Sequence, residues 1–305
     1  MVVEQGNAGT RRDVTDREVG AQRLLATSAK HSFNPDTDID WSVPVDNGMP
    51  FVREDRLSLY GTPLWDRMSE TQRLALGKRE LCSIASVGLW TEEVLMQMLL
   101  RHAYSHDVLT AHHRYALTEI EDECRHARMF ARMITTFGCE AVGPGKGVKR
   151  LGRIFGAIST WPQTFAGVYF VESFTDTLQR EAMDDESLHP IVRQVARIHV
   201  IEEARHLKYA RDELDRQLLG MKRAELEYTR LIVQRTIHVT TDSFIHPVIY
   251  RQIGLDPYEA RAAARANPHF IETKRFAARR SLDMLRDVGL LGGPNYRLLH
   301  KSQLV

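Results

Sequence analysis

The sequence predicts an all-α protein built on a four-helix bundle, with additional helices at its N- and C-terminal ends. Four long segments between residues 69 and 219 have the hydrophobic periodicity of amphipathic helices, and short links join them. No segment shows the alternation of a half-buried strand. The hydrophobic fraction of 43% is enough for a sizeable core, and the charged fraction of 27% fits an ordinary solvated surface. These features favour a helical bundle.

Local signals set the expected helix boundaries. Ser69 and Gln72 have the spacing of a capping box at the start of the first long helix. Gly138 and Gly220 are placed to end the second and fourth, and Ser187 is the predicted N-cap of the fourth. The predicted helices are 69–104, 107–137, 162–183, 187–219 and 223–244, followed by shorter ones at 257–266 and 271–288.

The chain is expected to divide into an N-terminal arm and connector, 1–50, and a helical domain, 51–305. Within the arm, Thr15 and Glu18 form a capping-box pattern before a modest helix. A connector rich in Pro, Gly and Asp follows at 31–51, where helical periodicity is missing.

Composition argues against several classes of protein. Forty-one basic and 40 acidic side chains leave a net charge near +1, which gives no sign of a nucleic-acid-binding protein. No apolar run approaches the roughly 20 residues of a membrane span, and the N-terminus has no apolar signal segment. The three cysteines, Cys82, Cys124 and Cys139, are too few for a disulfide framework. We therefore expect a cytoplasmic protein that does not bind membranes.

Two Glu-x-x-His motifs are the candidate metal-binding residues. Glu123 and His126 lie on the second long helix, and Glu203 and His206 lie on the fourth. Residues three apart share one helix face, so both side chains of a motif can reach the same metal ion. One such motif is weak evidence, because Glu and His are common on solvated helices; two on separate long helices are stronger.

The spacing of two further glutamates strengthens the prediction. Glu92 lies 31 residues before Glu123, and Glu172 lies 31 residues before Glu203. In antiparallel hairpins this offset can bring each first glutamate level with the motif on the partner helix. Four carboxylates and two imidazoles would then meet at one point, as di-iron and di-manganese carboxylate bundles require.

Apolar stripes around these glutamates favour burial over a salt-bridged or exposed position. A carboxylate on an apolar stripe is costly to bury unless it is paired or binds a metal. Glu93 competes with Glu92, and Glu202 competes with Glu203. The equal spacings and the Glu-x-x-His register favour Glu92 and Glu203.

An acidic residue directly precedes each motif, and the role expected of it is to orient an imidazole. Metal-bound histidines usually donate their second N–H to a carboxylate. On this interpretation Asp122 orients His206 across the bundle, and Glu202 orients His126. The alternative is an ordinary surface acid at both positions.

His199 extends the same face of the fourth helix. It lies four residues before Glu203 and seven before His206. A lone histidine there would be a core residue, but within a metal-facing stripe a third imidazole ligand is the favoured interpretation.

These segments resemble the p-aminobenzoate N-oxygenase family, the non-haem di-iron arylamine oxygenases of antibiotic biosynthesis. The resemblance covers roughly residues 60–245. The extra histidine before the second motif separates this family from ferritins, acyl desaturases and ribonucleotide reductase small subunits. The segments that carry the resemblance are Trp90–Glu92, Asp122–His126, Val171–Ser173 and His199–His206.

The resemblance implies a ferritin-like fold, two iron ions (or manganese), O2 as co-substrate and a set of site residues. Thr91 matches a threonine that adjoins the first family glutamate, and the catalytic role expected of it is to help deliver a proton. Ile84, Val87 and Asp176 occupy substrate-pocket positions at which this chain departs from the arylamine enzymes. The implied metal ligands are Glu92, Glu123, His126, Glu172, His199, Glu203 and His206.

The function expected from this resemblance is an O2-dependent di-iron monooxygenase acting on the nitrogen of a small-molecule amine in secondary metabolism. It would need an external electron donor, such as a ferredoxin or a flavin reductase, and a homodimer is the expected assembly. The alternatives are a di-iron hydroxylase or desaturase acting at carbon, a ferritin-like metal-storage protein, and a helical interaction module without metal.

Overall fold

The computed structural model describes residues 16–305, and throughout this range the regular secondary structure is helical. The all-α prediction is confirmed. The first helix begins at Arg17, because the Asp16 side chain caps it by accepting from the backbone N–H of Val19. The predicted capping role of Thr15 lies outside the described residues.

Four long helices, α3, α4, α6 and α7, form the bundle as two antiparallel hairpins, α3 with α4 and α6 with α7. The remaining helices pack around these hairpins. Within residues 16–305 the α-helices are α1 (Arg17–Ser28), α2 (Pro63–Asp66), α3 (Glu70–Tyr104), α4 (Ala111–Thr136), α5 (Lys146–Ile158), α6 (Trp161–Asp184), α7 (Pro190–Leu218), α8 (Arg223–Thr241), α9 (Val248–Gln252), α10 (Pro257–Ala266), α11 (Pro268–Asp287) and α12 (Arg297–Lys301).

Most helix starts follow from their caps, but three differ from the prediction: α4 begins at Ala111 rather than 107, α7 at Pro190 rather than 187, and α11 at Pro268 rather than 271. Ser69 and Gln72 form the expected capping box of α3. The predicted cap of α7, Ser187, is wrong: its N–H donates to the Asp185 side chain in the preceding turn. Helix α7 begins three residues later at Pro190, whose fixed φ suits a first helical position, and His189 caps it.

The additional helices cover the bundle on several sides. Helix α1 packs against α4 and α7, α5 packs against α3, and α8 and α11 pack against α6. Within residues 16–305 no helix is apolar over enough of its length to cross a bilayer. The division of the chain at residue 50 and the cytoplasmic location both stay predictions.

Candidate metal centre

The two Glu-x-x-His motifs meet in the middle of the bundle. Glu123, His126, Glu203 and His206 are fully buried. His206 Nδ1 lies 3.0 Å from one oxygen of Glu123 and 3.0 Å from one oxygen of Glu203. His126 Nδ1 lies 3.0 Å from Glu123 Oε2 and 3.3 Å from Glu203 Oε1. The hairpins thus bring both motifs together at one point, with the Nδ1 atom of each imidazole directed inward.

A second group of donors lies beside the first. Glu92 and Glu172 are 2% and 3% exposed, whereas Glu93, the competing candidate, lies on the exposed face of α3. The Nε2 atom of His199 is 3.8 Å from Glu92 Oε1 and 3.7 Å from Glu203 Oε1. One donor atom each from Glu92, Glu172 and His199 lies within 4.8 Å of the other two. The seven residues named from the sequence therefore lie around one buried centre.

Asp122 and Glu202 lie behind the motif histidines. His206 Nε2 is 3.1 Å from Asp122 Oδ2, and His126 Nε2 is 2.8 Å from Glu202 Oε2. Each contact joins a histidine of one hairpin to a carboxylate of the other. With a metal bound, such contacts would hold the proton on Nε2 and make the inward Nδ1 the donor to the ion.

The two outer carboxylates are themselves held in place. Arg205 Nη2 donates to Asp122 at 2.9 Å, and Arg125 forms ion pairs with both Asp122 and Glu202. The arm completes this layer, since the backbone N–H of Phe33 donates to Glu202 at 3.1 Å. Buried charges need such partners, because an unpaired carboxylate loses its hydration without compensation.

His199 is held differently, by a residue that sequence analysis missed. Its Nδ1 donates to Gln179 Oε1 at 2.7 Å, so Nε2 is the free nitrogen directed to the centre. Gln179 lies seven residues after Glu172 on α6, two turns along the same face. That spacing was a usable signal, although it could not distinguish a ligand-orienting amide from a surface one.

The charge of the centre gives a test of whether metal ions fit it. Four glutamates converge there, and burial together with the neighbouring carboxylates raises the pKa of both Glu92 and Glu172 well above the usual value. Glu92 Oε2, Glu203 Oε2 and His199 Nε2 are buried without a hydrogen-bond partner among residues 16–305. Excess negative charge and free lone pairs are what two divalent cations would offset, so the donor set fits a metal pair.

Glu119 is a second residue that sequence analysis missed. It lies one turn before Glu123 on α4, 1% exposed, and neither of its oxygens has a hydrogen-bond partner among the described residues. Burial raises the pKa of this carboxyl well above its ordinary value, which favours the neutral form. It adds a further buried carboxyl group next to the centre.

A cavity of about 200 Å³ opens on one side of the centre. Glu92, Glu172 and His199 face it, whereas Glu123 and Glu203 do not line it. Thr91 also lines it, and its Oγ1 donates to the carbonyl oxygen of Gly88 at 2.7 Å. The other lining side chains are mostly apolar, among them Ile84, Phe130, Val171, Phe174, Leu178 and Val195.

Two of the three residues assigned to the substrate pocket lie elsewhere. Ile84 lines the cavity, but Val87 and Asp176 are not among the lining residues. Val87 is three residues further along α3 and packs into the main hydrophobic core at 1% exposure. Asp176 is buried against Arg180 and Arg280, at 2.8 Å and 3.1 Å, and these ion pairs direct it away from the cavity. This cavity does not support either residue as a substrate contact, and both assignments stay predictions.

Solved structures with a similar fold are di-metal proteins. Two mutants of an R2-like ligand-binding oxidase with anaerobically reconstituted Mn/Fe cofactor superpose with TM-scores of 0.57 and 0.56. The alignments cover 93% and 94% of this chain and 99% of each oxidase, at sequence identities of 11% and 13%. At that identity the likeness shows the ferritin-like fold alone.

Sequence comparison identifies the family. The chain is 28% identical over 235 residues to the uncharacterized protein Rv0885 of Mycobacterium tuberculosis strain H37Rv, covering 73% of this chain and 69% of that protein. The family model of the p-aminobenzoate N-oxygenase AurF matches residues 14–289, which is most of the chain and includes every residue of the buried centre. Family and fold together support a di-metal oxygenase or oxidase with a small-molecule substrate. The chain belongs to the p-aminobenzoate N-oxygenase AurF family.

Proposed function

We propose that this protein is an O2-dependent non-haem di-iron oxygenase that oxygenates the amine nitrogen of a small molecule in secondary metabolism. The observation that carries the proposal is the opening of a seven-donor centre, through Glu92, Glu172 and His199, into an apolar cavity. A storage protein has no use for an apolar pocket against its metal donors, whereas an enzyme that acts on a small organic molecule needs one.

The donor set suits two ions. Oxygens of Glu123 and Glu203 lie 3.0–3.3 Å from the inward nitrogens of His126 and His206, so these four side chains would together hold the ions. When bound, an iron pair supplies the electrons and the Lewis acidity that reduction of O2 requires. Imidazole and carboxylate donors accept manganese as well, and the similar solved oxidases carry Mn/Fe. The choice of iron follows the family.

The chain's own residues would orient the substrate and exclude water. The apolar part of the wall would place a substrate against the His199 side of the centre, where N-oxygenation needs an uncharged amine whose nitrogen keeps its lone pair. Thr91 is adjacent to Glu92, and its hydroxyl proton is directed to a backbone carbonyl. Rotation of that side chain would turn the proton into the cavity, which supports a role for Thr91 in proton delivery.

The same cavity supports one alternative reaction. Walls formed by Phe130, Phe174 and Leu178 also suit a hydrocarbon segment, as expected for a hydroxylase or desaturase acting at carbon. Both reactions need electrons from outside, and we propose a ferredoxin or a flavin reductase as the donor. The homodimer stays a prediction.

Product analysis tests the proposal directly. The iron-loaded protein, a chemical reductant and labelled O2 would be incubated with a panel of primary amines. We expect products that carry the label on nitrogen and that do not form in the metal-free protein. Labelled products hydroxylated only at carbon would favour the alternative, and iron uptake without any organic product would contradict an oxygenase.

Substitution of His199 tests whether this imidazole takes part in the reaction. His199→Ala keeps the other six donors, so most of the metal should remain. It removes the imidazole that faces the cavity, so product formed per bound metal pair should fall by roughly 10–100-fold.

The control is His189→Ala, which removes a buried histidine that caps α7 away from the centre. This variant should lose stability but keep its activity per metal pair. Equal effects of the two variants on activity per metal pair would mean that His199 is an ordinary core residue.

A further inference from the structure

Three more histidines lie together at the end of the bundle where α3 turns into α4. His102 is on α3, His112 is on α4, and His106 is in the link between them. The Nε2 atoms of His102 and His112 are 3.1 Å apart, and the His106 ring centroid is 4.5 Å from each of the other two rings. One nitrogen from each lies within 4.8 Å of the other two. This cluster contains no residue of the paired Glu-x-x-His centre.

His102 and His112 are in the neutral form that binds metal. Burial lowers the pKa of His102 to about 3 and that of His112 to about 3, so both rings are neutral near pH 7. His106 Nδ1 is 2.8 Å from the carbonyl oxygen of His102, which can only accept, so Nδ1 carries the proton. His106 Nε2 is therefore the unprotonated nitrogen, and it accepts from Arg17 Nη1 at 3.3 Å.

The hydrogen bonding of the cluster is incomplete without an ion. The Nε2 atoms of His102 and His112 face each other, and two neutral rings in this position can share only one N–H between them. The Nδ1 atoms of the same two rings have no hydrogen-bond partner among residues 16–305. If both Nε2 lone pairs bound an ion, both protons would lie on Nδ1. The His112 N–H would then face Glu213 Oε1, now 3.9 Å away, as metal-bound imidazoles usually face a carboxylate.

We propose that His102, His106 and His112 form a second, mononuclear site for a divalent transition-metal ion of the class that prefers imidazole, such as Zn²⁺. His102 and His112 are almost fully buried, and half-buried His106 leaves an approach from solvent. The site lies eleven residues before Glu123 on α4, or roughly 16 Å along that helix. It is therefore separate from the proposed di-iron centre.

Arg17 is the group that an incoming ion must displace. Its Nη1 lies 3.3 Å from His106 Nε2, while its Nε and Nη2 donate to Glu213 at 3.2 Å and 3.0 Å. Loss of the first contact leaves the two to Glu213 intact. Removing this competing cation should therefore tighten metal binding.

Metal analysis of the full-length protein tests the site. The iron-loaded protein would be equilibrated with Zn²⁺ and dialysed, and both metals would be counted by mass spectrometry. We expect one zinc per chain without loss of iron. Arg17→Met should bind zinc more tightly, and an unchanged or weaker affinity would contradict an ion at His106 Nε2.

His112→Ala should weaken zinc binding on the order of 100-fold, at least as much as loss of an outer-shell partner. The matched control is His113→Ala: this neighbouring histidine contacts the Ala103 carbonyl at 3.1 Å and lies outside the cluster, so the variant should keep the zinc. If His112→Ala does not fold, His106→Ala in the link carries the same expectation.

Three results would overturn the proposal. One is the absence of added zinc at saturation, and another is zinc that enters only as iron leaves, which would place it at the paired centre. The third is equal zinc binding by the His112 (or His106) and His113 variants.

Discussion

The buried centre has two faces with different chemistry. On the outer face, formed by Asp122, Glu202, Arg125 and Arg205, the histidines are held by carboxylates that are ion-paired with arginines. On the cavity face, His199 is held by the uncharged amide of Gln179.

The histidines also differ in the nitrogen they present. His126 and His206 direct Nδ1 inward, and His199 directs Nε2 inward. A carboxylate partner makes an imidazole a stronger donor than an amide does. On the proposed function, the outer face would retain the metals, and the cavity face would offer a weaker donor where substrate approaches.

Removing a glutamate from the middle of the centre should have the largest effect. Glu123→Ala deletes a carboxylate that lies 3.0 Å from both motif histidines, so most of the bound metal should be lost. The matched control is Glu121→Ala, two residues away on α4, whose side chain is 73% exposed and forms an ion pair with Arg125 at 3.1 Å. Metal content after reconstitution, with circular dichroism to verify the helices, measures the effect. Full metal content in Glu123→Ala would contradict the assignment.

The two faces can be compared by a pair of milder changes. Asp122→Asn should weaken metal retention by roughly 10–100-fold while the bundle stays folded, because His206 loses its charged partner. Gln179→Leu removes an uncharged partner of similar size and should cost clearly less affinity. Competition with a chelator measures both. Equal losses would mean that the faces do not differ in the way proposed, and no loss in Asp122→Asn would leave Asp122 a structural acid.

The smallest expected effect is a change in the pH dependence of stability that arises from Glu80 in the cavity wall. Glu80 lines the cavity, and burial raises its pKa from 4.5 to about 7, against the opposing hydrogen bonds from Ser58. Since the folded pKa is the higher one, the stability contributed by the neutral side chain is fully present below about pH 4.5. It is lost as the pH rises through about 7.

Glu80→Gln keeps the shape and stays neutral, so it should lose less stability than the wild type between pH 5 and pH 8. The difference should be on the order of 1–3 kcal/mol. Urea unfolding at both pH values measures it, with the exposed Glu121→Gln as the control. The same pH dependence in wild type and Glu80→Gln would show that Glu80 is ionised in the folded protein.

The sequence predicts those features of the molecule that depend on hydrophobic periodicity. Helical periodicity and the two equal spacings predict the hairpins and the convergence of Glu92, Glu123, Glu172 and Glu203. Both signals can be read from a single sequence. Contacts across helices are harder to predict. Gln179 and Glu119 lie on the predicted faces, but nothing local distinguishes them from neighbouring polar residues.

The remaining differences depend on tertiary packing. The cluster of His102, His106 and His112 is assembled by the turn between α3 and α4, whose geometry the sequence does not specify. The family resemblance placed Asp176 at the substrate pocket, but Arg180 and Arg280 of α11 hold its side chain in ion pairs. Helix α7 begins at Pro190 rather than at the predicted residue 187, because the Ser187 N–H donates to the Asp185 side chain in the preceding turn.

Anomalous diffraction at the iron edge from crystals of the iron-loaded protein tests the central claim most directly. We predict two peaks per chain among the seven donors, with His199 Nε2 about 2 Å from the ion nearer the cavity. We also expect the inward Nδ1 atoms of His126 and His206 to bind. A single peak, or a second peak with Glu92, Glu172 and His199 turned away from it, would contradict the account.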